Sequence, residues 1–299
     1  MGAVKIILTG SSGRIGRAIF GSLAARHKVI GVDTRAFSTT QAIGDCTDQA
    51  LVRPLLEGAD AVIHTAGPHA PYVGKAPDEE FIRVNVEGTA KLYAWALEAG
   101  VKHFLYTSTT ALYGNAIAPG ECTWVDETTT PSPKSIYHRT KLAGEEQLEM
   151  LASDKLPVRV LRMSRCFPET APLMALYRLH RGVDARDVGE GHRLALSYDG
   201  PAFARFILSG ATPFTRHDRE ALAADAPAVI ARCAPALAKA FASRGWKLPA
   251  TIDRVYDASA AEKELGWQTR WGWEEVLNQL DRQDLAVLPQ GAKVEETQE

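Results

Sequence analysis

An apolar run at residues 4–9 leads without interruption into Thr9-Gly10-Ser11-Ser12-Gly13-Arg14-Ile15-Gly16, and this junction narrows the possible folds more than any other feature of the chain. The run shows no polar alternation, which predicts a strand covered on both faces. Gly10 permits a tight turn and Gly13 lets backbone approach a pyrophosphate. Gly16 lets the following helix, expected over residues 13–26, pack closely on the strand. The helix start then offers free N–H groups and the positive end of its dipole to phosphates. Glycines alone are weak signals, because turns use them freely. Here they stand between strand and helix, and Asp33 closes the next strand 17 residues after Gly16. An acid at that place accepts both ribose hydroxyls of an adenosine, so the turn is expected to hold a dinucleotide. A carboxylate also repels a 2′-phosphate, which favours NAD over NADP, although Arg14 and Arg35 stand where either could reach such a phosphate.

Beyond this unit, short β-branched runs alternate with longer helical patterns. Strands are expected at residues 28–32, 61–65, 103–107 and 158–163, and helices at 48–57, 79–99 and 135–152. Within 79–99, Phe81, Val84, Gly88, Leu92, Trp95 and Ala99 fall three or four apart, giving one helical stripe. The alternation predicts an α/β fold: a Rossmann-type doubly wound parallel sheet with a smaller, mostly helical C-terminal substrate domain. After Met163 the pattern fades, leaving a strand at 203–208, an Ala-rich helix at 221–244, and a helix-turn-helix over 258–265 and 273–280. The expected division is a dinucleotide-binding domain over 1–165, completed by the strand near 203–208, and a smaller substrate-binding region over 166–287. A polar tail over 288–299 is expected to be disordered.

Charge and cysteine usage exclude several classes. Lys and Arg number 34 against 36 Asp and Glu, a net charge of −2. No nucleic-acid partner is expected, because that needs a basic stripe. No apolar run approaches the roughly 20 residues of a spanning helix, so no membrane partner is expected. The N-terminus lacks a signal-peptide layout, and Ile6 stands where a myristoylation motif starting at Gly2 needs Ser or Thr. Cys46, Cys122, Cys166 and Cys233 form no CxxC pair, which argues for a reducing, cytoplasmic setting and against a zinc module. His64 and His69 have no cysteine or carboxylate to complete a metal set, and no metal is expected.

Tyr137-His138-Arg139-Thr140-Lys141 puts Tyr137 and Lys141 on one helix face. That spacing suits a tyrosine acting as acid or base. A free phenol has a pKa near 10, so work at neutral pH needs a depression of about 3 units, or about 4 kcal/mol. A lysine ammonium one turn away and an oxidised nicotinamide together are expected to supply it. By itself the spacing is common on solvated helix faces.

Here it follows, in order, the glycine turn, Asp33, Gly44-Asp45-Cys46-Thr47-Asp48, His64-Thr65-Ala66-Gly67, Asn85 and Thr107-Ser108-Thr109-Thr110-Ala111-Leu112-Tyr113-Gly114. The series resembles the extended short-chain dehydrogenase/reductase family, also called the NAD-dependent epimerase/dehydratase family. The resemblance covers roughly residues 4–192 and resumes near 255–267, at Asp257-Ala258-Ser259 and Glu264-Leu265-Gly266-Trp267. It implies Tyr137 as general acid/base, Lys141 as its electrostatic partner and ribose ligand, and Thr109 as the group that hydrogen-bonds the substrate oxygen. It further implies that Gly10, Gly13, Arg14 and Ile15 line the pyrophosphate and that Asp45 and Cys46 flank the adenine. Ala66, Gly67, Asn85 and Ser108 would line the cofactor cleft. A homodimer through the 79–99 helix and the helix carrying Tyr137 is implied as well.

Departures from the family pattern narrow the chemistry. The dehydratases carry an Asp-Glu pair directly after the catalytic Thr, whereas this chain has Thr110 and Ala111, which cannot move those protons. The nucleotide-sugar epimerases carry a long insertion before a V-x-x-x-D-V segment. Here Arg165-Cys166-Phe167-Pro168-Glu169 reaches Val183-Asp184-Ala185-Arg186-Asp187-Val188 in a short span, which leaves little chain to grip a nucleotide and suits a small, free substrate. The Cys166–Glu169 run looks like the uronate dehydrogenase branch. Arg165, Arg178 and Arg181 cluster where guanidinium could meet an acidic group, and Thr110 is a further substrate candidate. Three functions remain open on the sequence: an NAD-dependent oxidoreductase acting on a hydroxyl or carbonyl of a small sugar-like or polyol substrate, an NAD-dependent sugar epimerase, and a non-catalytic dinucleotide-sensing regulator. Joint retention of Tyr137, Lys141 and Thr109 argues against the last, which needs none of them.

Overall fold

The structure, a computed structural model, describes residues 2–288. Its strands are β1 (Lys5–Thr9), β2 (Lys28–Asp33), β3 (Ala42–Ile43), β4 (Ala61–His64), β5 (His103–Thr109), β6 (Thr123–Val125), β7 (Val158–Met163), β8 (Phe203–Leu208) and β9 (Arg254–Tyr256). A seven-stranded sheet runs in the order β3-β2-β1-β4-β5-β7-β8, and every neighbouring pair is parallel. β6 and β9 pair separately, also in parallel. Strand order reverses at β1, which has β2 on one side and β4 on the other. In doubly wound sheets the crevice beyond the carboxyl ends at that switch point is where ligands bind.

The helices are α1 (Arg14–Leu23), α2 (Gln49–Leu56), α3 (Asp78–Ile82), α4 (Thr89–Glu98), α5 (Ile136–Leu151), α6 (Ala171–Tyr177), α7 (Ala185–Ala195), α8 (Arg219–Ala224), α9 (Ala226–Cys233), α10 (Pro235–Ser243), α11 (Ser259–Leu265) and α12 (Trp273–Asp281). Alternate residues of β1 feed opposite cores, as the two-residue strand period requires. Ile6 and Leu8 pack with Ile19 and Leu23 of α1 and Val188 of α7. Ile7 packs with Val52 of α2, Leu92 of α4 and Leu148 of α5. A third core joins Met174, Leu222, Ile230, Phe241 and Val276 from the C-terminal helices.

Several elements differ from the sequence expectation. The 79–99 stripe is not one α-helix, because a π-helical segment, Arg83–Gly88, joins α3 to α4. The 221–244 stretch is three helices. Pro227 and Pro235 each enter the first turn of a new helix, where a missing N–H costs nothing, and the Asp225 side chain accepts from the Ala228 amide at 3.2 Å to cap α9. Where the alternation faded after Met163, α6 and α7 form, and α7 lies against α1. Ser22 Oγ donates to the Gly189 carbonyl at 3.0 Å there. Leu288, read as the start of a disordered tail, is bridged in parallel to Thr170, and its amide donates to the Glu169 carbonyl at 2.8 Å. The rest of that tail, 289–299, lies outside the described residues. Among the described residues no helix is long and apolar enough to cross a membrane.

Candidate active site

A cleft of about 810 Å³ opens beyond the carboxyl ends of β1, β4, β5 and β7. At its floor Gly10 has φ +73°, and a Cβ there would stand 2.5 Å from Thr65 Oγ1 and 2.7 Å from the Ala66 amide nitrogen. A Cβ on Gly16 would lie 2.0 Å from the Gly10 carbonyl oxygen. Only glycine fits either position, and the backbone of Gly13, Arg14 and Ile15 consequently forms one wall of the cleft. Asp33, at the end of β2, accepts from the Ser12 amide at 2.9 Å and the Arg35 amide at 3.0 Å. Its carboxylate is thereby fixed at the cleft edge.

Asp45 and Cys46 line the same end. Burial pushes the Asp45 carboxyl up, but hydrogen bonds from Thr47 and Arg83 outweigh it and leave the group below its ordinary value. Arg83, on the π segment, clamps Asp45 and Glu80 together at 2.8 and 2.7 Å. The Cys46 thiol is buried and pushed up to about 12, so it stays protonated. Ala66 and Gly67 follow β4. Asn85 donates from Nδ2 to the Pro68 carbonyl and to Thr140 Oγ1, both at 3.1 Å. Two polar atoms facing this region, Asn85 Oδ1 and Arg14 Nε, are buried without a hydrogen-bond partner among the described residues. Orphaned polar atoms of this kind mark where a polar ligand would be received.

Tyr137, Lys141 and Thr109 converge in the cleft. Ser135 caps α5 by accepting from the His138 amide at 3.3 Å, which starts the helix so that Tyr137 and Lys141 share its inner face. Lys141 is 6% exposed, and its Nζ lies 3.7 Å from the centroid of the Tyr106 ring. Burial pushes the Lys141 ammonium down to about 7, opposed by the Glu145 carboxylate one turn on. Burial pushes the Tyr137 phenol up to about 12, opposed by a hydrogen bond from Thr109. Within the chain alone, burial drives the two groups toward their neutral forms.

Behind this group lies a network that spacing did not reveal. Ser108 Oγ hydrogen-bonds Glu145, and Arg162 donates to the same carboxylate from Nε at 3.0 Å and from Nη2 at 2.6 Å. Arg162 Nη1 also donates to the Tyr113 hydroxyl at 2.7 Å. Both charges of the pair are 1% exposed. His64 is structural: it is held by Thr9 Oγ1 at 2.7 Å and Thr89 Oγ1 at 3.1 Å, and burial pushes it down to about 3.

At the other end Thr110, Arg165, Arg181, Arg254, His69 and Phe167 line the cleft. Arg178 does not. It is 4% exposed and donates to Asp184 at 3.2 Å, so the substrate role expected for it is withdrawn. Residues 178 and 181 lie three apart, and only the latter turns into the cleft. Arg254 was not anticipated, because it reaches the site on β9, far along the chain.

The description of one sequence family, the NAD dependent epimerase/dehydratase family, matches residues 6–173. An NAD-dependent glucose-6-phosphate dehydrogenase of Haloferax volcanii is 30% identical over 159 residues, covering 47% of this chain and 60% of that protein. The match thus spans less than two-thirds of that curated relative. A short-chain dehydrogenase/reductase superfamily protein from Agrobacterium tumefaciens, solved with bound NAD, superposes with a TM-score of 0.70 at 24% identity, covering 94% of this chain and 98% of that one. The UDP-N-acetylglucosamine 4-epimerase of Bacillus cereus superposes with a TM-score of 0.68 at 21% identity, over 94% of this chain and 100% of that one. These likenesses establish the fold.

Proposed function

The chain belongs to the NAD-dependent epimerase/dehydratase family, whose cofactor is NAD, and on that premise we propose that it is an oxidoreductase moving hydride between nicotinamide and a hydroxyl or carbonyl of a small sugar-like or polyol substrate. The observation that carries the reading is the convergence of Thr109, Tyr137 and Lys141 in the cleft that also holds the glycine turn and Asp33. Gly10, Gly13, Arg14 and Ile15 would hold the pyrophosphate, Asp33 the adenosine ribose, and Asp45 and Cys46 the adenine. Ala66, Gly67, Asn85 and Ser108 would line the remainder, with Arg14 Nε and Asn85 Oδ1 gaining partners. When bound, NAD would supply a hydride acceptor and, in its oxidised form, a positive charge.

The chain's own residues then divide the work. Thr109 holds the reacting oxygen of the substrate, and Tyr137 takes the proton from that oxygen or returns it. Lys141 binds ribose hydroxyls and, when protonated, favours the phenolate. Glu145, fixed by Arg162 and Ser108, stands one turn behind and favours the protonated lysine. Thr110 and Ala111 supply no proton-transfer groups for a dehydration. The Cys166–Glu169 run and the short span behind it are the ground for placing the chain near the uronate dehydrogenases.

The test is a screen of sugars, sugar acids and polyols with added NAD. Stoichiometric free NADH is the expected result. Interconversion of two epimers without net NADH would overturn the oxidoreductase reading in favour of an epimerase, in which hydride returns to the opposite face.

A further inference from the structure

A buried charge needs a neighbour that tolerates it, and Lys141 brings an ammonium to a place that is 6% exposed. The carboxylate one turn on is committed elsewhere. Glu145 Oε1 accepts from the Ser108 hydroxyl, and Arg162 donates to Oε2 from Nε at 3.0 Å and from Nη2 at 2.6 Å. What Lys141 Nζ does meet is the face of the Tyr106 ring, 3.7 Å from its centroid. An ammonium within about 6 Å of an aromatic face is attracted by the ring's electron density, and the attraction grows where water is excluded.

Three elements build this contact. Tyr106 lies on β5, fully buried, in register with His64 on β4 and Val160 on β7. Gly144, three residues after Lys141 on α5, lets that helix come down onto the ring. A Cβ there would stand 2.6 Å from the Tyr106 hydroxyl and 2.7 Å from the Asn85 carbonyl oxygen. The hydroxyl has no hydrogen-bond partner among the described residues, so the ring's body, not its oxygen, makes the useful contact. His64 packs on Tyr106 with ring centroids 5.7 Å apart, held by Thr9 and Thr89. Burial pushes His64 down to about 3, and it stays neutral beside the ring. The other titratable groups around Lys141 are Tyr137 and Glu145 on its own helix, and His69 after β4, which burial also pushes down.

We propose that Tyr106 is a positioning residue for the reaction: the face of its ring holds the Lys141 side chain as an ammonium, one helical turn from the Tyr137 phenol. Tyr106 does not line the cleft and acts through Lys141. This rests on the reading in which Lys141 works beside Tyr137, and adds what keeps that lysine charged. Two effects of altering the ring then differ in sign. Withdrawing electron density from its face lowers the proton affinity of Lys141, whereas loosening the core raises it by admitting water.

NMR titration of the full chain grown with isotope-labelled lysine reads that affinity directly, and Lys141→Met identifies the resonance. Lys141 should titrate at about 7 in the unsubstituted chain, and Tyr106→Phe, which keeps the ring, should leave the midpoint in place. Difluoro- and pentafluorophenylalanine introduced at position 106 keep nearly the same volume and drain the ring face stepwise. The midpoint should fall in the same order, by about 1 pH unit with the pentafluoro ring, roughly a tenfold loss of proton affinity. The other lysine resonances report whether the fold is kept. Should the pentafluoro protein not fold, the difluoro protein carries the test with a smaller shift. A midpoint unmoved through the series would make the ring mere filler, and one that rises would show water entry; either overturns the proposal. Turnover on whichever substrate the sugar screen returns adds a separate arm. A group needed in its protonated form is lost as pH rises through its pKa, so the alkaline limb of kcat/KM should move down with the midpoint. A midpoint that falls while this limb stays put would uphold the hold of Tyr106 on Lys141 and remove Lys141 from the hydride-transfer reading.

Discussion

At the scale of single residues, the proposed chemistry turns on one phenol and one amine, and burial opposes the charged form of each. Tyr137 is pushed up to about 12 and Lys141 down to about 7, so positive charge brought into the cleft has to restore the active protonation pattern. Tyr137→Phe removes one oxygen and keeps the ring's packing. Turnover should fall by roughly 10²–10⁴, the span for a lost proton-transfer group, while NAD affinity stays within a few-fold. Lys141→Met should weaken both. Steady-state kinetics with fluorescence titration of NAD checks the pair, and wild-type turnover in Tyr137→Phe would remove the proposed mechanism.

The sheet's contribution at the scale of elements is to hold turn and helix ends against one another, and glycine sets several of those distances. On α7 a Cβ at Gly189 would stand 2.7 Å from the Ala18 carbonyl oxygen of α1, a backbone atom that cannot swing away. Gly189→Val should therefore cost about 1–3 kcal/mol of stability by overpacking, with little change in the cleft residues themselves. Urea unfolding measures the first, and NAD affinity of the folded protein the second. The C-terminal pattern is pinned to the same helix: Trp267 Nε1 donates to the Asp187 carbonyl at 2.9 Å, and the Asp187 side chain accepts from the Arg270 amide at 2.9 Å. This contact explains why residues near 255–267 matter to a sheet whose strands end at Leu208.

For the whole molecule, acid is the expected weakness. His64, His180 and His192 are buried neutral, pushed down to about 3, 3 and 4 from an ordinary 6.5. Below 6.5 the unfolded chain takes up a proton at each, and the folded chain does not until the lower value. The unfolded state binds more protons in that window, so stability falls as pH drops through it, by about 2 kcal/mol per histidine at pH 5. Against a total of about 5–15 kcal/mol for a typical domain, unfolding midpoints should collapse between pH 6 and 5, which denaturant titrations at several pH values will show. A flat profile there would contradict the buried, neutral assignment. Assembly is expected as a homodimer, since Ile82, Leu97, Met150 and Leu151 leave apolar area exposed on or beside α4 and α5. Sedimentation showing only monomer at micromolar concentration would refute it.

The sequence by itself determined what short-range chemistry determines. An apolar run, three spaced glycines and an acid one strand later specify a strand–turn–helix unit, because backbone sterics and strand periodicity act over a few residues. The i, i+4 spacing of Tyr137 and Lys141 likewise fixes their common face on any helix. Contacts made across the fold were left to the tertiary structure. It turned Arg178 inward to Asp184 and Arg181 into the cleft, brought Arg254 to the site on β9, and buried the Glu145–Arg162 pair behind Ser108. It split the Ala-rich 221–244 stretch at its prolines and inserted a π turn at Arg83–Gly88. It also set the burial that pushes the Tyr137 phenol up and the Lys141 ammonium down within the chain. Desolvation is the reason: the cost of a charge depends on everything packed around it, and those neighbours come from distant parts of the chain.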